Sequence, residues 1–599
     1  MEIRLSYQSM DSFAGNVLPL QLLGVEEFGM EEITWSSTSP CVQIRSFRNE
    51  KADPFTDGVL LTLLSPGNAT VSASYKGNEY TCAVSIHAPE HTESERSLSY
   101  FLGDFHDHTQ QTHKYDEFVR REEFTPYDYL KLVKDEGVFD FSVVTDHACL
   151  LGGKDYFRGF RDSFLLEDEA FVPFAGSEAQ CTPKYLDRYG VTHAEGGEIV
   201  IVNADNCYSG GNWEDFFSKY DSSPFAICVL AHPQISGHSI PGIWNNRLDK
   251  NNSPRFKEMV KGVEIGNGTD RNSNHANEYI YSVALDNGFD VGTTCSSDSH
   301  GPVWGAAKMP GRTVIMAKER SKEAFFDALN SRRFYATESG NVKLYYEVNG
   351  KAAPCTLSET AKYRFHVEIG LFNEEKGGMP KNIQVISDYG NTIFETDDVQ
   401  NVMDFTVESA TARYFYLRLT DEKGQKTWSV AVKTGRRIDP TEKTNYSPIP
   451  KNGWTAIDEE SGADASVLVN DDPWQAFFAE KATASILVDM KNENEISAFG
   501  LFHTIVINKE LAQMGIQRKE RISELPVRYE IETGTELENM TLKAKGLFRV
   551  FGDESVIPLT THKARYLRLR ILSTTGKESG RKDYFSRRPT MAEISLYTK

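Results

Sequence analysis

Along residues 1–96, apolar and polar positions alternate in short runs: Glu32–Trp35, Val59–Leu64, Ala69–Tyr75 and Tyr80–Ile86. Turn residues such as Pro66-Gly67-Asn68 and Lys76-Gly77-Asn78 separate the runs. A period of two with turn punctuation predicts an antiparallel β-sandwich. After His91 the pattern changes. Apolar strand-like runs at Tyr100–Phe105, Phe139–Thr145, Phe171–Ser177, Glu198–Asn203, Phe225–Ala231, Gly262–Gly266, Asp290–Ser297 and Thr313–Ala317 alternate with helical stretches that include Pro126–Glu136, His275–Asn287 and Lys322–Ser331. Alternation of strand and helix predicts an α/β fold with a parallel sheet closed as a barrel. Short alternating strands return at Tyr363–Ile369 and Arg413–Leu419, and again at Ala484–Asp489, Val527–Thr533 and Tyr566–Ile571. With polar linkers at Ala88–Arg96 and Asp439–Lys451, the chain divides into 1–96, 97–336, 337–445 and 446–599.

Length and composition agree with this division. At roughly 150 residues per domain, the 599 residues suit about four domains. A hydrophobic share of 39% with 25% charge describes a folded globular protein. The net charge of −21 argues against nucleic acid as a partner, since that needs a basic surface. No apolar run is long enough for a transmembrane segment. The start, MEIRLSYQSMDS, lacks the apolar region of a signal peptide. The eight cysteines form no framework. Cys149, Cys207, Cys228 and Cys295 read as buried reduced thiols, whereas Cys41 and Cys82 could pair.

The chemistry gathers between 97 and 336. Nine of the 14 histidines fall there: His106, His108, His113, His147, His193, His232, His238, His275 and His300. His106 and His108 close the run FLGDF, Asp146 and His147 close FDFSVVT, Glu178 closes FVPFAGS, His232 closes FAICVLA, and Asp298 and His300 close VGTTCSS. In a parallel barrel, strand C-termini converge on one rim, so residues distant in sequence become neighbours. A lone buried histidine is more often a core residue than a ligand. Five or more His, Asp and Glu groups at successive strand ends are not explained that way. Imidazole mixed with carboxylate suits Zn, Mn or Fe. A glutamate can bridge two cations, and bridged cations lower the pKa of a shared water towards neutrality.

The motifs GDFHDHT (103–109), VVTDH (143–147), GSE (176–178), LAHP (230–233), GVEIGNG (262–268), SSDSH (296–300) and RRFYAT (332–337) occur in this order over about 240 residues. The region resembles the PHP (polymerase and histidinol phosphatase) superfamily, in its CehA/McbA-like branch of metallohydrolases. The resemblance implies a distorted seven-stranded (β/α)7 barrel and a site for two or three divalent metal ions. It implies that His106, His108, Glu178 and Asp298 hold one metal, that Glu178 and His232 help hold a second, and that His113, His147 and His300 hold a third. Asp146 would be a ligand or a partner that fixes an imidazole tautomer. The family usually has a further histidine where this chain reads Gly197-Glu198-Ile199. Either Glu198 substitutes as an oxygen ligand, which would favour Mn or Fe over Zn, or His193 reaches in.

Two flanking segments carry resemblances of their own. TWSSTSP followed by NATVSASYKGNEYTCAV resembles a bacterial immunoglobulin-like module. GWTAIDEESGADASVLVNDDPW (453–474), SILVDM (485–490), LPVRYEIETG (525–534), KARYLRLRI (563–571) and AEISLY (592–597) resemble a discoidin (F5/8 type C) domain, which implies carbohydrate binding or a packing role. Trp474 could stack on a sugar ring or sit in the core. The expectation is a divalent-metal hydrolase of phosphoesters, with His238, Arg271 and His275 as candidate acids near the leaving group. Hydrolysis of a carboxylic or carbamate ester, cleavage of a glycan, and metal binding without catalysis are the alternatives. The flanking modules point to an extracytoplasmic place of work on a small-molecule or glycan-linked ester.

Overall fold

The computed structural model describes residues 2–25, 33–47, 55–109, 124–181, 184–186, 192–194, 197–210, 213–233, 254–268, 274–286, 288–301, 304–305, 311–409, 411–436, 446–472, 475–502, 526–548, 555–574 and 589–599. The fold is multidomain and mostly β, with 52% of the described residues in strands and 14% in helices. Two four-stranded sheets form the first unit and enclose Leu20, Val59, Leu61, Val71, Ala73 and Cys82. Strand Asn78–His87 shows why: its last six positions alternate buried and exposed, the pattern of a half-buried strand. Cys41 and Cys82 are both buried and unpaired with each other, so the pairing considered from sequence does not form. Cys228 and Cys295 are buried as expected, but Cys149 is exposed and Cys207 only partly covered.

The central unit contains β1 (Ser99–Asp107), β2 (Phe141–Val144), β3 (Val172–Cys181), β4 (Gly197–Val202), β5 (Ile227–Leu230), β6 (Val260–Asn267), β7 (Gly292–Ser296), β8 (Arg312–Ala317) and β9 (Phe334–Thr337). Strands β1, β2 and β3 pair in parallel, as do β5, β6 and β7. The expected all-parallel sheet fails at β4, which runs antiparallel to both β3 and β5. Its cause is the connection. Among the described residues between β3 and β4, Lys184–Leu186 and Thr192–Ala194 pair antiparallel, and a hairpin return needs no helical crossover. Strand β8 is likewise antiparallel to β1. The strands β1 to β7 come round to meet themselves: Asp107 bridges Ser299, the Asp298 N–H donates to the His106 carbonyl at 2.8 Å, and the His108 N–H donates to the Ser299 carbonyl at 3.1 Å. The four-residue strands β2 and β5 are buried throughout, as strands covered on both faces must be.

Helix α1 (Pro126–Glu136) matches its expected span because its signals are local: Thr125 and Asp128 form a capping box, Pro126 opens the first turn, and Gly137 closes it at φ 62°. Helix α2 (Gly153–Leu166) starts at Gly152 with no side-chain cap, which leaves the sequence without a start signal. The described residues of the unit also form helices α3 (Trp213–Ser218), α4 (Pro254–Met259), α5 (Asn274–Asp286) and α6 (Lys322–Asn330).

The sheet does not end at the expected boundary near 336. Strand β9 pairs with Lys426–Trp428, and the same sheet continues through Tyr414–Asp421, Pro380–Ser387 and Asn391–Thr396. A second sheet of Val342–Val348, Lys351–Ala352, Lys362–Leu371 and Val402–Glu408 covers it. The last unit is an antiparallel seven-stranded sheet around Ile486, Val488, Ile531, Leu567 and Leu569. It touches the preceding unit through Tyr529 to Asn391 at 3.1 Å and Lys545 to Glu395 at 2.7 Å. Among the described residues no helix is long and apolar enough to cross a membrane.

Candidate metal centre

The reversed direction of β4 places its first residues beside the last residues of β1, β3, β5 and β7. His106 and His108 stand at the end of β1, Glu178 in β3, Glu198 at the start of β4, and His232 and Asp298 just past β5 and β7. Gly176 permits the close β3–β4 approach that this needs: a Cβ there would stand 2.3 Å from the Ile201 carbonyl oxygen. His232 and Asp298 both adopt the left-handed backbone region, at φ 22° and 48°. Non-glycine residues held there carry strain that commonly marks functional positions.

Glu178 is the hub. Its Oε1 lies 3.4 Å from His106 Nε2 and 3.0 Å from His232 Nε2. Its Oε2 lies 3.4 Å from His108 Nε2 and 2.9 Å from His147 Nδ1. Asp298 Oδ1 is 3.5 Å from His106 Nε2 and 3.1 Å from His108 Nε2. Glu198 Oε2 is 3.6 Å from His232 Nε2. The rings of His147 and His300 lie 4.4 Å and 4.3 Å from that of His108. Four overlapping triads result: His108, His147 and His300; His106, His232 and Asp298; His106, His108 and Glu178; Glu178, Glu198 and His232. Burial grades outward, from 1% exposure for the Glu178 side chain to 32% for His300, so the cluster has a covered floor and an open mouth.

These donors fit divalent cations. Ligand distances of ~2.1 Å put neighbouring atoms of a tetrahedral site about 3.4 Å apart. The Nε2 atoms of His106 and His108 are 3.1 Å apart, and each faces a Glu178 oxygen at 3.4 Å. With neutral imidazoles, the carboxylates of Glu178, Glu198, Glu264 and Asp298 carry four negative charges, which two divalent cations would offset. The electrostatics show the same demand. Burial alone would lower His106 and His232, yet the surrounding carboxylates raise His106 well above its usual range and His232 to about 10. Burial opposes ionisation of Glu178, but the imidazoles hold it well below the usual carboxylate range. Burial, then the Glu178 charge, pushes Glu198 up.

The remaining expected residues are placed less completely. Asp146 accepts hydrogen bonds from the Thr109 N–H and hydroxyl, both at 2.7 Å, and so holds the turn after His108. His113, His238, Arg271 and Trp474 lie outside the described residues. For His193 and His275 only the backbone is described, in strand Thr192–Ala194 and in α5.

Three groups that sequence reasoning did not single out lie beneath the cluster. Glu264 on β6 is fully buried, and His106 Nδ1 lies 3.2 Å from its Oε1. Asp107 accepts from the Ser299 N–H at 3.0 Å and from the Ser297 and Tyr129 hydroxyls. Asp104 accepts from the Ser297 N–H at 3.0 Å, and together the two aspartates tie the end of β1 to the turn after β7. Glu264 had a sequence signal: it is a lone carboxylate within the apolar run GVEI, and a buried charge needs a partner.

No family model matches the chain, and no curated protein matches it. Solved structures are matched over about a quarter of its length. A CBM32 unit from Clostridium perfringens in complex with GalNAc-β-1,3-galactose is 13% identical and covers 25% of this chain and 100% of its own, with a TM-score of 0.20. The family 32 CBM from C. perfringens NanJ in complex with galactose is 15% identical and covers 26% and 99%, with a TM-score of 0.19. CBM32-3 from a family 31 glycoside hydrolase of the same organism is 20% identical and covers 25% and 95%, with a TM-score of 0.19. At TM-scores this low the likeness says nothing of how this chain functions.

Proposed function

We propose that residues 97–336 form a PHP-type hydrolase that uses two or three divalent cations to cleave phosphoester bonds. The observation that carries this reading is Glu178, whose two oxygens each face a different pair of imidazoles. That is the placement of a carboxylate shared between cations. His106, His108, Asp298 and Glu178 would hold one cation; Glu178, His232 and Glu198 a second; His147 and His300, beside His108, a third. Bound there, divalent cations supply Lewis acidity and a water of lowered pKa. The buried floor of His106, His108 and Glu178 excludes bulk water and fixes the donors' directions. The half-open mouth at His147, His300 and Glu198 is where a substrate enters. A phosphate ester brings several anionic oxygens to such a mouth, whereas a carboxylic or carbamate ester brings one carbonyl oxygen. The discoidin-like motifs of 446–599 support a carbohydrate partner, a glycan-linked substrate and work outside the cytoplasm.

The experiment is elemental analysis of the purified chain after incubation with Zn and Mn, combined with a screen of chromogenic phosphate, acetate and sugar esters. At least two ions per chain and cleavage of phosphate esters are expected. Less than about one ion per chain sinks the metal reading, and preference for acetate or sugar esters replaces the phosphoester reading. The same measurement resolves the departure at Glu198. Glu198→Ala should lose one ion, while Glu198→His should keep occupancy and shift preference towards Zn. Unchanged content in Glu198→Ala, with one ion lost in His193→Ala, would give the role to His193.

A further inference from the structure

We infer that Glu264 is a positioning residue that sets the tautomer of His106 and, with Asn267, ties the ligands of two adjacent cation positions into one unit. The inference rests on the reading of the cluster as a cation site. Glu264 and Asn267 lie three residues apart on β6, which contributes no member of the four donor triads. Yet this pair touches groups from three other strands. Glu264 Oε1 and Oε2 lie 3.2 Å and 3.3 Å from His106 Nδ1. Oε2 also accepts from the His232 backbone N–H at 2.7 Å and from Asn267 Nδ2 at 3.2 Å. Asn267 Nδ2 in turn donates to Asp298 Oδ2 at 3.1 Å. The carboxylate therefore accepts two N–H groups, from His232 and Asn267, and faces the ring nitrogen Nδ1 of His106.

This arrangement has a chemical consequence at His106. An ionised carboxylate only accepts, so His106 Nδ1 must carry a proton. The lone pair of the neutral ring then sits on Nε2, the atom that faces Glu178, Asp298 and His108. The bond to the His232 N–H also holds a backbone that stands at φ 22°. One side chain thus orients a ligand of the first cation position and the backbone of a ligand of the second. Partners of this kind raise metal affinity by about 10–100-fold.

Glu264→Gln tests the assignment because it keeps size and shape. The Gln carbonyl oxygen must meet the fixed donors of His232 and Asn267, which leaves its amide N–H₂ facing His106 Nδ1. Nδ1 must then accept, and the ring proton moves to Nε2, where it blocks coordination. In competition titrations of the full chain with Zn against a chromophoric chelator, Glu264→Gln should bind about 10–100-fold more weakly than the parent. Its melting temperature in EDTA should stay near that of the parent, and the visible band of the Co-loaded protein should change shape. A merely space-filling glutamate would tolerate its isostere, so parental affinity and an unchanged Co band would overturn the inference. If Glu264→Gln does not fold, Asn267→Ala carries the test through the Asp298 link, and parental Zn affinity there overturns it equally. A parent chain that binds no Zn would instead sink the cation reading itself.

Discussion

Replacing Glu178 by Gln is expected to lower kcat/KM by about 100-fold or more, since even partners one step removed from a metal are worth 10–100-fold. The reason is geometric. Each oxygen of Glu178 faces two imidazole nitrogens at 2.9 to 3.4 Å. An amide keeps one of those oxygens and turns an N–H₂ towards the other pair, so one of the two proposed cation positions would lose its oxygen ligand. The side chain is 1% exposed and sits among polar groups, so an isosteric change disturbs packing little. The check is turnover on a substrate that the parent cleaves, measured beside melting temperature. Parental activity in a folded variant would remove Glu178 from the reaction.

The second large effect is on stability and lies away from the cluster. Glu278, on α5, receives Arg418 of strand Tyr414–Asp421 at 2.7 and 2.9 Å and the Tyr416 hydroxyl at 3.0 Å. Burial opposes its charge, but Arg418, aided by Arg528 and Lys426, brings its carboxyl from 4.5 down to about 2. A carboxylate depressed in the folded state stabilises the fold above its unfolded pKa and loses that contribution as pH falls towards the folded value. The window is therefore from about pH 4.5 to about pH 2. A shift of this size corresponds to about 3 kcal/mol, similar to the ~3–5 kcal/mol cost of leaving one partner of a buried pair alone. Thermal unfolding of Glu278→Gln should begin several degrees lower at pH 7, and the gap to the parent should narrow as pH falls to 3. A gap that stays constant with pH would show that the ion pair is not its source.

Much of this was legible in the chain. The apolar runs fall within a few residues of β1 to β8, because a strand buried on both faces must be apolar over its whole length. The capped helix α1 is readable for a local reason, whereas α2, which begins at a bare glycine, is not. Strand direction was not legible: the run EIVIV reads alike in either sense, and only the hairpin before it turns β4 round. That reversal explains why Glu198 opens its strand while its neighbours in the cluster close theirs. The role of Glu264 is not legible in the chain because it lies within its strand rather than at the end, and its partners come from sequence positions 158 and 32 residues away. The Cys149 thiol is exposed because it lies in the turn after β2 rather than in the strand itself.

The pairing of β9 with Lys426–Trp428 bears on where the chain can be cut. A fragment ending near residue 336 keeps every described donor of the cluster but strips β9 of its outer neighbour. It also uncovers Val314, Met316 and Tyr335, which share a core with Leu344, Val367 and Leu417. A bare strand edge beside a fresh apolar face is a template for pairing with another copy. The smallest fragment expected to stay free of such pairing therefore reaches past residue 433, so the unit that carries the cluster has to be cut out together with the sandwich behind it.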